Sequence, residues 1–205
     1  MSGPVLSMLV RPELGVQEFS DAVHAAAGLL GFEIEPPGAD DEANTIARVR
    51  TSDFLVLDVL WLPADNEREP GELESIHHTL GYLPSASAVF VSYVRSRQDR
   101  DIARLVQAVL EVTGGFVEMD GALGTQYGMI STGLDRVAKL ALARAFVADR
   151  PGRCLEICYP IAMDEGEDSS AEHEGPESNE MAMYHVVDAA FLRAWLDDPD
   201  FYLIN

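Results

Sequence analysis

Two cysteines, five histidines, a glycine-rich stretch, an arginine cluster and a large acid surplus are the residues that could carry chemistry in this chain. Cys154 and Cys158 stand four apart, a spacing that brings two thiols together on a helix but not on a strand. Leu155, Ile157 and Tyr159 interleave with them in strict alternation, which predicts a strand. Four strand residues span about 13 Å, too far for a mutual disulfide or joint ligation of one ion. Both thiols therefore read first as small packing groups, with a reactive or ligating thiol as the alternative.

The histidines are His24, His77, His78, His173 and His185, and neither an HExxH nor a paired CxxC motif accompanies them. Neighbours such as His77 and His78 would point about 100° apart on a helix and cannot chelate together. A catalytic or metal site would have to be assembled in three dimensions from His185, Cys154 or Cys158. No cofactor or metal is expected from the motifs themselves.

Gly121 to Gly133 (GALGTQYGMISTG) precedes a predicted helix, a setting in which backbone N–H groups can hold an anion. Gly128 to Gly133 has the GxxxxG spacing, but Leu134 and Asp135 follow where a phosphate-binding loop needs Lys and Ser or Thr. Ser131 or Thr132 reads more simply as a helix cap. The binding alternative is an anionic small molecule held by Gly128, Ser131 and Thr132 with Arg95 or Arg97. Arg95, Arg97, Arg100 and Arg104 form the one basic cluster, and pairing with the surplus acids is its plainer role. No GxSxG elbow is present.

The 205 residues hold 35 acids and 14 bases, a formal charge of −21. Residues 154–205 carry 13 acids and one base, whereas residues 95–153 carry seven acids and nine bases. The densest acidic stretch is Asp164 to Glu180 (DEGEDSSAEHEGPESNE), with eight carboxylates and no Lys or Arg. It lacks apolar periodicity and reads as a mobile surface loop. A second acidic, turn-rich stretch is Pro63 to Glu74 (PADNEREPGELE). Such charge keeps a protein dispersed, and it also suits a basic partner. The carboxylates are expected to face outward on a conventionally packed scaffold. Nucleic acid is disfavoured as a partner, because phosphate binding needs clustered Lys and Arg. No run approaches the ~20 apolar residues of a membrane helix. With no secretory signal in MSGPVLSMLVRPELG and too few cysteines for a disulfide scaffold, a cytoplasmic protein is expected.

The elements that must position these residues follow from periodicity. Strands are predicted at 4–11, 45–50, 53–62, 86–95, 116–119, 155–161, 183–187 and 201–204, with a short one at 32–35. Helices are predicted at 16–31, 73–80, 99–113, 134–148 and 189–196. The helix at 99–113 is the clearest, with Ile102, Leu105, Val106 and Val109 on one face before the Gly114-Gly115 stop. Trp195 with Phe191 and Leu192 reads as a core stripe. The 47% hydrophobic content suffices for a single α+β domain over 1–205, with the acidic loop 164–180 between two C-terminal strands. The early order β-α-β-β-α-β is that of a ferredoxin-like split βαβ sheet with helices on one face, the strands at 53–62 and 86–95 forming an inner pair. A C-terminal α-β-β-α-β portion would extend that sheet or cover its other face.

The stretches VLEVTGGFVEMDGAL (Val109 to Leu123) and YHVVDAAFLRAWLDDPDFYLI (Tyr184 to Ile204) resemble an uncharacterised actinobacterial family of the domain-of-unknown-function type. Thirteen Arg to one Lys fits a high-GC source. Small size, strong acidity and a strand entered through Gly-Gly after an amphipathic helix are similar to some bacterial toxin-immunity proteins. Neither resemblance brings a catalytic residue. The expected function is that of a non-enzymatic, acidic interaction protein, a toxin-neutralising immunity protein in its sharpest form. It would meet a basic protein partner through Asp65, Glu67, Glu69, Asp164, Glu165, Glu167 and Asp168.

Overall fold

The computed structural model describes residues 5–36, 38, 44–51, 56–64, 68–92, 99–119, 145–160 and 181–198. The described elements are strands β1 (Val5–Val10), β2 (Glu33–Glu35), β3 (Thr45–Arg50), β4 (Val56–Pro63), β5 (Ala86–Ser92), β6 (Phe116–Met119), β7 (Cys154–Pro160) and β8 (Met181–Val187). The helices are α1 (Val16–Leu30), α2 (Pro70–Leu80), α3 (Asp99–Thr113) and α4 (Ala189–Leu196). The strands form one sheet in the order β2-β3-β4-β5-β1-β6-β8-β7, and every neighbouring pair is antiparallel.

Alternation along the strands gives the sheet two unlike faces. One receives Leu6, Met8 and Val10 of β1, Ala88 and Phe90 of β5, Leu57 and Val59 of β4, and Val117 of β6, all buried. Helices α1, α3 and α4 cover it, with α3 packed against both others. The α1 stripe Phe19, Val23 and Ala26 and the α3 stripe Ile102, Leu105, Val106 and Val109 supply the opposing layer. Trp195 lies in this core with edge-on contacts to Phe146 and Phe191, as its stripe predicts. Gly15 starts α1 by donating its backbone N–H to Glu18 Oε2 at 3.1 Å, and Gly31 closes it.

The other face holds a smaller cluster of Leu9, Phe116, Ile157 and Val186 around Ile76 of α2. Helix α2 packs on β7, so the expectation that the helices share one face is corrected. The reason is local: Ile76 and Leu80 form a short apolar stripe that matches the small cluster and not the large core. The strands at 53–62 and 86–95 are neighbours as β4 and β5. Strand β1, however, sits between β5 and β6, which are parallel to each other and joined through α3, a β-α-β unit split by a third strand. The C-terminal strands extend the sheet, with β8 on β6 and β7 at the edge. The strand expected at 201–204 and most of the helix expected at 134–148 lie outside the described residues, while 145–148 are helical. No helix among the described residues is long and apolar enough to cross a membrane.

Candidate functional site

The second face carries a polar network beneath the first turn of α2. On β1, Ser7 lies on the side opposite Leu6 and Met8, and it pairs directly with Glu118 of β6. Glu118 is set between Val117 and Met119, both in the main core, so its own side chain is turned to the second face. Tyr184 comes from β8, opposite Ile157 of β7. Pro70 opens α2 at a position where its missing N–H costs nothing, and one turn carries Arg68 and Glu72 over these strands.

Arg68 is the centre. Its guanidinium contacts the carboxylates of Glu72 and Glu118, and it donates to the Tyr184 hydroxyl at 3.2 Å and to Ser87 Oγ at 3.4 Å. The Tyr184 hydroxyl in turn donates to Glu72 Oε1 at 2.9 Å. The Arg68 and Glu72 side chains are each 10% exposed. Burial opposes the Arg68 charge, but Glu118 and Glu72 outweigh that penalty and hold the guanidinium above its ordinary value. Burial, and then the negative charge of Glu118, pushes the Tyr184 phenol upward, so it keeps its proton and remains a donor. Tyr159 stacks edge-on against Tyr184, with ring centroids 6.3 Å apart.

Two adjoining hollows of about 250 and 290 Å³ open beside this network and share Ser7, Glu72 and Glu118 in their walls. Two carboxylates against one guanidinium leave the wall one negative charge in excess. That composition accepts a cationic side chain and does not recruit an anion.

Both acidic stretches are rooted at this corner. Pro160, the last residue of β7, pairs with Met181, the first of β8, so the described residues flanking the acidic stretch lie side by side. Pro160 packs against Gly71 in the first turn of α2: a Cβ on Gly71 would lie 3.4 Å from Pro160 Cδ. The stretch 63–74 runs through that same turn. Of the expected partner-binding residues, Glu69 is half-buried at the N-cap of α2. Asp65, Glu67, Asp164, Glu165, Glu167 and Asp168 lie outside the described residues, as do Arg95, Arg97, Gly128, Ser131 and Thr132.

The expectation that the carboxylates face outward holds only in part. Glu72 and Glu118 turn inward, and so does Asp58, whose carboxylate accepts from Arg48 Nε at 2.7 Å and Nη2 at 3.0 Å across the β3–β4 pair. In the arginine cluster, Arg104 pairs with Asp101, but Arg100 donates to the backbone carbonyls of Leu196 and Asp198 and so pins the end of α4.

The thiols and His185 share one side of β7 and β8, because Glu156 is directly opposite His185. Cys154 packs against the main core, and burial pushes its thiol up to about 12, with Glu156 and Asp188 adding to the effect. Cys158 is exposed, which corrects its reading as a packing group; it lies on the edge strand, whose outer side has no neighbour among the described residues. His185 is buried with Nε2 at 3.8 Å from Glu156. Burial lowers its pKa more than Glu156 raises it, so the ring is neutral at pH 7. No cluster of three or more His, Cys, Asp or Glu suited to a metal occurs among the described residues.

The network around Arg68 joins residues 4 to 116 positions apart, and only two signals in the sequence mark it. Arg68 is the sole base within an acidic stretch, and Glu118 interrupts the short apolar strand FVEM. Searches of curated proteins and of solved structures find no match for this chain. A family model does match, over residues 2–205, and the chain belongs to that family, DUF6368, a family of unknown function.

Proposed function

We propose that this chain is a non-enzymatic acidic interaction protein that captures a basic protein partner at the corner where α2 begins. The observation that carries this reading is the contact of Gly71 with Pro160, which roots two acidic stretches, far apart in sequence, at one place. Long-range attraction would speed the encounter, and a Lys or Arg of the partner would enter the hollow beside Glu72 and Glu118. In its sharpest form the protein is a toxin-neutralising immunity protein that blocks a basic active-site cleft. The ferredoxin-like reading of the scaffold is supported by the central order β6-β1-β5-β4.

The test is capture of a basic partner at low and high salt, with a variant neutralised at Asp65, Glu67 and Glu69. Capture at ~0.05 M salt that is lost at ~1 M, and lost in the variant, supports the reading. Capture that survives ~1 M salt unchanged, or that ignores the neutralisation, overturns it.

A further inference from the structure

At the opposite end of α2 lies a cleft of a different kind, about 300 Å³ in volume. Its walls include Arg11 at the end of β1, Tyr82 just beyond α2, Arg153 before β7 and Asp188 at the start of α4. The Gly114-Gly115 stop after α3 makes room for it. Gly115 has φ +95, and a Cβ there would lie 2.8 Å from the Leu9 carbonyl oxygen and 3.8 Å from the Tyr82 hydroxyl. Only glycine lets the chain pass so close to both β1 and the Tyr82 hydroxyl.

The charges here are unusual for a chain with a formal charge of −21. Arg153 has no carboxylate within ion-pair distance among the described residues; its guanidinium lies 5.0 Å from the Phe116 ring centroid. Arg11 pairs with Glu13 on the exposed rim and keeps donors to spare. Asp188 is occupied as the cap of α4, accepting from the Phe191 N–H at 2.9 Å. The Tyr82 hydroxyl is buried without a partner among the described residues. Burial raises its pKa more than Arg11 and Arg153 lower it, so it stays protonated and can donate. Two guanidiniums and one unpaired hydroxyl donor thus converge where buried polar groups are ordinarily satisfied.

We propose that this cleft is a binding site for a small oxyanion, a carboxylate or phosphate group, held by Arg11 and Arg153 with the Tyr82 hydroxyl as third donor. Guanidinium forks match both groups through paired N–H donors. The site is independent of the acidic corner at the other end of α2, and its failure would leave the basic-partner reading untouched.

The experiment is titration of the full chain with citrate and, separately, with inorganic phosphate, read as thermal stabilisation against sodium chloride of equal ionic strength. The chloride arm removes general screening of the protein's self-repulsion. A saturable shift above the chloride baseline is expected with at least one anion; citrate alone assigns a carboxylate ligand and phosphate alone a phosphate ligand. Arg153→Met should weaken binding about 10- to 100-fold. Tyr82→Phe should weaken it less, with the free protein melting as the wild type does. No shift above chloride with either anion overturns the proposal, as does a saturable shift that survives in both Arg11→Met and Arg153→Met.

Discussion

At the first turn of α2 one guanidinium, Arg68, is enclosed by two carboxylates and two hydroxyls, whereas beyond its last turn two guanidiniums share a cleft with a carboxylate already engaged as a cap. The hollows are similar in size, but the bonding is not. The helix dipole favours both placements, acids near its N-terminus and cations near its C-terminus. What separates them is satisfaction. A network whose donors and acceptors answer one another fixes structure, and unanswered donors leave capacity for a ligand.

The largest expected effect tests the first half of that contrast. Arg68→Met leaves the buried Glu72 and the half-buried Glu118 without their cation and should cost about 3 kcal/mol in urea unfolding at pH 7. Arg153→Met removes only an exchangeable contact with Phe116 and should cost less than about 1 kcal/mol. Equal losses from the two substitutions would erase the distinction between the two ends.

Gly152→Ala comes next and probes how firmly Asp188 is held. Gly152 has φ +92, and a Cβ would fall 2.2 Å from the Phe191 nitrogen and 2.6 Å from Asp188 Oδ1. Backbone strain and a broken cap together should cost about 2–4 kcal/mol. A variant that melts like the wild type would mean that Asp188 is not committed to capping, and its charge would then oppose an anion in the cleft.

Tyr184→Phe removes the donor to Glu72 and should cost about 1.5–2 kcal/mol near pH 7, toward the low end for a bond to a charged acceptor. The folded phenol has a raised pKa, so its contribution is complete below the unfolded value near 10 and is lost as pH rises beyond it. The wild type should therefore lose stability above about pH 10 more steeply than the Phe variant, as urea midpoints across that range would show.

Much of the scaffold was legible because it is periodic. The stripes of α1 and α3 and the alternation in β7 each bury one side and can be counted from the sequence. Strand pairing was harder. The place of β1 between β5 and β6 depends on long-range partners that no local pattern encodes. Pro70-Gly71 reads as a turn but opens α2, because proline suits the first helical position as well as it suits a turn. That ambiguity hid the site, since the same misread turn carries Arg68 and Glu72. Asp58 stands inside the apolar strand β4, and the cross-strand Arg48 that accounts for it sits ten residues away. The clefts were not legible at all: Arg11, Tyr82 and Arg153 meet only once three separate loops close on the sheet.

The smallest expected effect is the most discriminating, because it repeats the Tyr184 change at the other end of α2. Tyr82→Phe deletes one buried hydroxyl, as Tyr184→Phe does, but this hydroxyl gives its hydrogen bond to no protein group among the described residues. Removing an unanswered polar atom takes nothing from the folded state and relieves part of its desolvation penalty. Stability in urea at pH 7 should therefore stay within about 0.5 kcal/mol of the wild type, with any change in the stabilising direction. A loss as large as that of Tyr184→Phe would mean that the hydroxyl already bonds within the protein in solution. Arg11 and Arg153 would then face the hollow without a third donor, and the two ends of α2 would differ in charge alone.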